Sequence, residues 1–320
     1  MTESNSGPFS GPHVVQVENL TKRYKGAKAC AVDGISFSVA AGEFFTLLGP
    51  NGAGKTTTIS ILTTTLSPTS GTARIAGYDL QREAAQVRQN IGIIFQQPSL
   101  DFNLTAEENI RFHAVLYGLY PFRPTFSTMP RAYRQQVMDL AALLGLEHEM
   151  GKPVKKFSGG MRRKLEIIRS LLHKPAILFL DEPTAGLDPV SRRTLWEYLR
   201  QVRQERGTTV FLTTHYLDEA EEADKACIIN HGQIVAYGAP QQVKAQLTET
   251  YLVIDAVDRN RLRDELRRLQ VAFTEASPFK VSVQGRDVQT LLKSIETPLT
   301  LVKTHDPSLE DAYLEIIKEP

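Results

Sequence analysis

Short apolar runs, interrupted by polar and glycine-containing breaks, characterise the first part of the chain. Residues 14–48 have the pattern of several β-strands separated at Lys25-Gly26 and Ala41-Gly42, and residues 91–95 that of another buried strand. Further strands are predicted at 176–180 and 208–213, and they alternate with helices predicted at 191–206 and 217–222. This alternation predicts an α/β fold whose mostly parallel sheet is covered by helices on both faces.

Two helices are predicted between these groups of strands. Apolar periodicity indicates helices at 105–117 and 132–144. Thr105 and Glu108 fit a capping box, in which each side chain satisfies a backbone donor of the other residue. The connection between the helices contains the segment 120–129, which is rich in proline and aromatic residues.

The pattern changes after about residue 245. A strand is predicted at 251–257, a helix at 258–270 and a hairpin between 271–274 and 280–283. A helix at 287–295 and a strand at 299–304 come next, and a last helix follows Ser308. The order βαββαβ predicts a small α+β module of ferredoxin-like type. Its first helix mixes arginines with Asp264 and Glu265, which favours a salt-bridged, solvated face over an anion-binding surface.

Composition narrows the possible functions. The 320 residues carry a net charge of +1, which gives no electrostatic basis for binding nucleic acid. No apolar run reaches the roughly 18 residues of a membrane-spanning helix, so we expect no direct membrane insertion. Residues 1–13 lack signal-peptide features and are predicted to be a disordered tail. Cys30 and Cys227 lie among apolar neighbours and are expected to be reduced thiols, as in a cytoplasmic protein.

A phosphate-binding loop follows the apolar run 44–48. The pattern G-x-x-x-x-G-K-[ST] is matched by Gly49, Pro50, Asn51, Gly52, Ala53, Gly54, Lys55, Thr56 and Thr57. Glycines let backbone N–H groups turn onto phosphate oxygens, and the start of the following helix adds favourable partial charge. Lys55 is expected to contact the β- and γ-phosphates and the Thr56 hydroxyl to ligate Mg²⁺. The loop predicts binding of a nucleoside triphosphate.

Two carboxylates end the predicted strand at 176–180. Asp181 is expected near Mg²⁺, acting through water, because such a strand lies beside the one that leads into the phosphate loop. Glu182 should point elsewhere and is the candidate base for the attacking water.

A second anion site is predicted at the start of another helix. Ser158, Gly159 and Gly160 precede a helix whose apolar face carries Met161, Leu165, Ile168 and Leu172. In isolation, a plain N-cap explains Ser158 equally well.

Together these motifs resemble the ATP-binding-cassette (ABC) ATPases. Residues 49–57 resemble the Walker A loop, 158–161 the family signature, 180–182 Walker B, and 185–188, ending in Asp188, the D-loop. His215 matches the switch histidine, Gln96 the Q-loop glutamine with a one-residue ambiguity from Gln97, and Tyr24 an aromatic that stacks on adenine. Met161 stands where many members have glutamine, so any contact of that side chain with nucleotide is lost.

The resemblance covers residues 14–240 and implies the fold and assembly of that family. It implies a phosphate-loop NTPase core with an antiparallel β subdomain and a helical subdomain at about 97–173, all within residues 14–244, followed by the accessory module at 245–320. It also implies a head-to-tail homodimer that holds two ATP molecules. Each ATP would lie between the Walker loops of one subunit and Ser158, Gly159 and Gly160 of the other. His215 would contact the γ-phosphate, and Gln96 would sense Mg²⁺ and the attacking water.

Within the family, the signature region and the residues after Pro307 resemble the drug- and polysaccharide-export branch, including daunorubicin-resistance-type ATPases. This implies an ATP-hydrolysing subunit that pairs with a separate membrane-spanning permease at the cytoplasmic face of the membrane. An importer ATPase is the nearest alternative, and a non-transport ABC ATPase a more distant one. The segment 120–129 is either a surface insertion or a contact to the membrane partner through Tyr120, Phe122 and Phe126.

Overall fold

A computed structural model describes residues 13–96, 99–185, 187–247, 251–283 and 287–305. The chain divides into two compact units between Tyr237 and Gly238. The domain boundary expected at residues 244 and 245 stays a prediction. The predicted N-terminal tail lies outside the described residues except for His13, with which the first strand begins.

An antiparallel sheet forms the first layer of the larger unit. Its strands are β1 (His13–Lys22), β2 (Val32–Ala40), β4 (Ser70–Ile75) and β5 (Tyr78–Asp79). They lie in the order β2-β1-β4-β5, and Gln16 of β1 pairs with Ser38 of β2 and with Arg74 of β4. Val15 and Val17 alternate with polar residues and are fully buried, so one face of this sheet packs on the core.

A six-stranded sheet forms the centre of the larger unit. Its strands are β3 (Phe44–Leu48), β6 (Ile91–Ile94), β7 (Ile177–Asp181), β8 (Thr209–Thr214), β9 (Lys225–Asn230) and β10 (Gln233–Gly238). The order is β10-β9-β3-β8-β7-β6, and the pairs from β9 to β6 are parallel. Strands β3, β7 and β8 are buried along their whole length, as expected for a sheet covered on both faces.

Helices flank this sheet or build a separate helical layer. Those connecting the strands are α1 (Lys55–Leu62), α2 (Ala84–Asn90), α6 (Pro189–Arg206) and α7 (Leu217–Glu221). The helical layer contains α3 (Ala106–Leu116), α4 (Arg131–Leu143) and α5 (Gly159–Leu171). The capping box predicted before α3 is present: Glu108 N donates to Thr105 Oγ1 at 3.2 Å, and Thr105 N donates to Glu108 Oε2 at 2.8 Å.

The segment between α3 and α4 is anchored to the helical layer. The ring of Tyr133, fully buried in α4, is contacted edge-on by Tyr120 at 5.3 Å and by Phe126 at 6.1 Å between centroids. Phe122 is different: it is 57% exposed. Of the three aromatic residues considered as partner contacts, two therefore belong to the packing of the helical layer and the third is largely exposed.

The smaller unit contains α8 (Pro240–Leu247), β11 (Tyr251–Ala256), α9 (Arg259–Arg268), β12 (Phe279–Ser282), α10 (Val288–Lys293) and β13 (Leu299–His305). The antiparallel order is β12-β11-β13. The predicted strand 271–274 is reduced to an isolated bridge between Phe273 and Val281, which places it beside β12. With that bridge the strand sequence follows the ferredoxin-like pattern. The helix predicted after Ser308 lies outside the described residues.

The predicted α/β fold is confirmed in its main features, and several elements were not predicted: β4, β5, α2, β9, β10 and α8. Across the described ranges, no helix combines the length and apolarity that a membrane span requires.

Candidate functional site

Four neighbouring strands of the central sheet end at one edge, and each is followed by a residue singled out from the sequence. In spatial order β3 leads to Gly49, β8 to His215, β7 to Glu182 and β6, one residue later, to Gln96. Because parallel strands present their carboxyl ends at the same edge, the topology gathers residues that are up to 166 positions apart. This edge is the candidate nucleotide site.

The phosphate loop is held close to neighbouring backbone. Gly54 has φ of 109°, and a Cβ there would lie 2.4 Å from the Ala31 carbonyl oxygen, so only glycine fits. No side chain caps α1, whose first turn also has no acidic residue. The amides at the start of α1 are therefore available for an anion.

The nine loop residues differ in exposure. Pro50, Asn51, Gly52, Thr56 and Thr57 are exposed or half-buried, whereas Gly49, Ala53, Gly54 and Lys55 are buried. Lys55 Nζ lies over the loop and donates to the carbonyl oxygens of Gly49 at 2.6 Å and Pro50 at 3.1 Å. Burial lowers the pKa of Lys55, and the nearby carboxylates of Glu182 and Asp181 oppose that shift.

Glu182 is the centre of the site. Its carboxylate lies 3.7 Å from Lys55 Nζ, 3.3 Å from Gln96 Nε2 and 3.2 Å from His215 Nδ1. The backbone of Glu182 has φ of 47°, while its N–H donates to the carbonyl oxygen of Thr213 at 3.0 Å. A non-glycine residue in this left-handed region is uncommon, and such conformations are concentrated at functional sites. The predicted catalytic side chains Lys55, Gln96 and His215 thus converge on the fourth, Glu182.

Asp181 lies one position earlier and is only 3% exposed. Thr213, its register partner on β8, donates a short hydrogen bond from Oγ1 to Asp181 Oδ1. Burial raises the pKa of Asp181, and the Thr213 hydroxyl opposes that shift. Sequence reasoning missed Thr213; only the strand register, which places it opposite Asp181, identifies it.

Tyr24 comes from the antiparallel layer. Its hydroxyl lies 3.4 Å from Thr57 Oγ1, and Lys22 Nζ lies 5.6 Å from the ring centroid. The ring is 46% exposed. The aromatic residue therefore borders the last residue of the phosphate loop and has a free face for a planar ligand.

The signature residues lie at the start of α5. Ser158 Oγ accepts from Met161 N at 3.2 Å, so Ser158 is the N-cap of that helix. Ser158 and Gly159 are exposed and Gly160 is half-buried. Among the described residues, no hydrogen bond joins Ser158 to the groups around Glu182. Asp188 Oδ1 accepts from Val190 N at 3.0 Å at the start of α6.

Comparison with known proteins agrees with this geometry. A protein-family profile described as ABC transporter matches residues 32–185. The probable multidrug ABC transporter ATP-binding protein YbhF of Escherichia coli is 39% identical over 236 residues, which are 74% of this chain and 39% of YbhF. The chain thus spans about two fifths of that relative's length.

Other relatives match over nearly their full length. The daunorubicin/doxorubicin resistance ATP-binding protein DrrA of Streptomyces peucetius is 38% identical over 324 residues, covering 96% of this chain and 93% of DrrA. A solved structure described as the dimeric post-hydrolysis state of an ATP-binding cassette with ADP and Pi superimposes with a TM-score of 0.62 at 26% identity, covering 70% of this chain and 98% of that one. The chain belongs to the ATP-binding proteins of the ABC transporter family.

Proposed function

We propose that this chain is the ATP-hydrolysing subunit of an ABC exporter that powers efflux of a drug, lipid or polysaccharide through a separate membrane-spanning permease. The observation that carries the proposal is the convergence of Lys55, Gln96 and His215 on the carboxylate of Glu182. A relative named for daunorubicin/doxorubicin resistance, and relatives named as Nod factor export ATP-binding proteins, favour export over import. The importer remains the alternative function to be tested.

In this mechanism backbone N–H groups of the loop 49–57, which Pro50 lacks, hold the phosphates of ATP, and Lys55 moves from the loop carbonyls onto the β- and γ-phosphates. Glu182 accepts a proton from the attacking water, which Gln96 and His215 orient. The free face of Tyr24 stacks on the adenine ring.

The residues at this edge suit Mg²⁺ as well as ATP. Thr56 offers a hydroxyl, Asp181 a carboxylate acting through water and Gln96 an amide oxygen, and hard cations prefer such oxygen donors completed by phosphate and water. When bound, Mg²⁺ supplies positive charge that stabilises the transferring phosphoryl group.

A homodimer completes each site. Ser158, Gly159 and Gly160 lie at the start of α5, where Ser158 Oγ accepts only from Met161 N among the described residues, and two of the three residues are exposed. We assign them, with Asp188, to the ATP held by the Walker loops of a second copy. Hydrolysis then requires two subunits packed head to tail.

The helical layer is the proposed contact with the permease. Phe112 and Phe122, which lie 6.2 Å apart, are 42% and 57% exposed, and Leu116 on the same helix face as Phe112 is 83% exposed. Such a cluster of exposed apolar side chains is typical of a protein interface. Docking there places this subunit at the cytoplasmic face of the membrane.

Co-expression with the permease tests the proposal. The permease should co-purify with the wild-type chain. A double variant, Phe112→Ser with Phe122→Ser, should no longer bind the permease but should keep its ATPase activity. In reconstituted vesicles, a transported compound should stimulate hydrolysis and move away from the ATP-containing side. Movement of the compound toward that side would establish an importer instead.

A further inference from the structure

Two charged side chains of α5 are buried and a third is largely buried, one to three turns after the signature glycines. Arg163 is 6% exposed and Glu166 1% exposed, and the side chain of Arg169 is 13% exposed. Charged groups are rarely buried unless they are paired and hydrogen-bonded. Their partners therefore show what this part of α5 holds in place.

Arg163 joins α5 to the ends of two strands. Its Nη1 donates to the Phe95 carbonyl oxygen at 2.5 Å, and its Nε donates to that of Pro183 at 2.9 Å. Its Nη2 lies 3.4 Å from the carbonyl oxygens of both Asp181 and Glu182. A planar guanidinium with five donors fits several acceptors at once, which an ammonium group does not. One side chain thus holds the backbone beside Gln96 and the backbone that carries both site carboxylates.

Glu166 and Arg169 hold the other end of the segment that contains Gln96. Glu166 Oε1 accepts from Ser99 N at 2.9 Å, and its Oε2 accepts from Arg163 Nη1 at 3.1 Å. Arg169 Nη1 donates to the Ser99 carbonyl oxygen at 2.7 Å, and its Nη2 donates a short hydrogen bond to Ser99 Oγ. Residues 95 and 99 are therefore both tied to α5, one on each side of Gln96.

We infer that Arg163, Glu166 and Arg169 are positioning residues that couple the two ATP sites of the dimer. This inference rests on the proposed function. Arg163 is five residues from Ser158, about 7.5 Å along the helix axis. In the proposed dimer the first turn of α5 meets the ATP of the other subunit. Because Arg163 joins α5 to the strand ends that hold Gln96 and Glu182, a shift of this rigid helix also moves those strand ends. Closure over one ATP thereby sets the catalytic groups around the other.

The alternative is that the cluster is only structural, because a satisfied buried ion cluster can serve packing alone. The two roles differ in what they change. A packing role affects stability and leaves the cooperativity of hydrolysis intact. A coupling role affects turnover and cooperativity while nucleotide affinity stays unchanged.

The test is the Arg163→Lys variant in the full chain, with Arg162→Lys as the matched control. Arg162 is the adjacent residue, and its guanidinium carbon lies 4.8 Å from the centroid of the Phe102 ring. Replacing it by lysine is the same chemical change at a neighbouring position. We expect Arg163→Lys to bind a fluorescent ATP analogue in EDTA with unchanged affinity, to lose at least tenfold in kcat, and to show a Hill coefficient near 1. Arg162→Lys should behave as wild type. Normal kcat and cooperativity in Arg163→Lys would overturn the inference.

A double-mutant cycle with Gln96→Ala sharpens the result. If Arg163 acts through Gln96, adding Arg163→Lys to Gln96→Ala should lower kcat by less than twofold further, whereas independent effects multiply. If Arg163→Lys does not fold, as judged by circular dichroism, Glu166→Gln provides the same measurements, because its amide keeps an acceptor for Ser99 and loses the charge. A wild-type chain that hydrolyses ATP without cooperativity or dimer formation would instead contradict the proposed function.

Discussion

Thr213→Val removes one hydroxyl from the candidate site; besides Asp181, its Oγ1 has only a long contact, 3.5 Å from the Leu180 carbonyl oxygen, among the described residues. The side chain of Thr213 is fully buried and its hydroxyl donates to the Asp181 carboxylate. Valine has nearly the same shape, so the change removes the donor without opening a cavity. A hydrogen bond to a charged group contributes about 1.5–3 kcal/mol, and one pKa unit corresponds to about 1.4 kcal/mol. The pKa of Asp181, already raised by burial, should therefore rise further in this variant.

The direction of the pH effect follows from the role of Asp181. The proposed Mg²⁺ site needs the ionised carboxylate, so activity falls as the pH decreases through the pKa of this group. We expect the acidic limb of the kcat/KM profile for Mg²⁺-ATP to move to higher pH by about one to two units in Thr213→Val. Thr213→Ser keeps the hydroxyl and is the control. Coincident acidic limbs for the valine variant and the wild type would refute the reasoning.

Stability gives an independent check on the same group. Because the folded-state pKa of Asp181 is raised, the folded protein binds this proton more tightly than the unfolded chain does. Its contribution to stability is present below the unfolded-state pKa and is lost as the pH rises through the folded-state pKa. Thr213→Val should therefore destabilise the nucleotide-free protein by about 1.5–3 kcal/mol where Asp181 is ionised, and by progressively less as the pH falls through its folded-state pKa, measured by urea unfolding across a pH series.

Three further predictions concern the loop, the base and the smaller unit. Glu182→Gln should lower turnover by about 10²- to 10⁴-fold and trap an ATP-bound dimer, visible by size-exclusion chromatography; only monomer with ATP and Mg²⁺ would contradict the shared site. Lys55→Ala should lose most nucleotide affinity in a fluorescence titration, since it removes the cation that meets the phosphates; normal ATPase activity would remove Lys55 from the site. Truncation after residue 244 should leave nucleotide binding intact, because the proposed site residues all precede it, and a folded truncation without binding would disprove this.

The sequence predicted strong local patterns well. The strands next to the motifs and helices α3, α4 and α9 were predicted to within about two residues, because alternation and capping are local signals. Strands β4 and β5 were missed: β5 has two residues, and β4 contains Gly71 and only a short alternation. The predicted strand at 271–274 was too long, since only Phe273 forms a bridge.

Motif order predicted which residues belong to the candidate site, but it could not predict the contacts among them. That Gln96 and His215 both reach Glu182 depends on the strand order β3-β8-β7-β6, which brings distant segments together. Arg163 and Glu166 lie on a helix where charged residues usually face water. Their burial depends on two strand ends that no local pattern places beside them.

The pairing of β7 with β8 has a consequence for the two adjacent acids. Thr213 lies opposite Asp181, the last residue of β7. A slip of β7 by a single position would place Glu182 opposite Thr213 and remove Asp181 from the hydroxyl. The roles proposed for Asp181 and Glu182 therefore depend on sheet alignment, and we expect that exchanging the two residues would conserve composition and charge while abolishing the proposed chemistry.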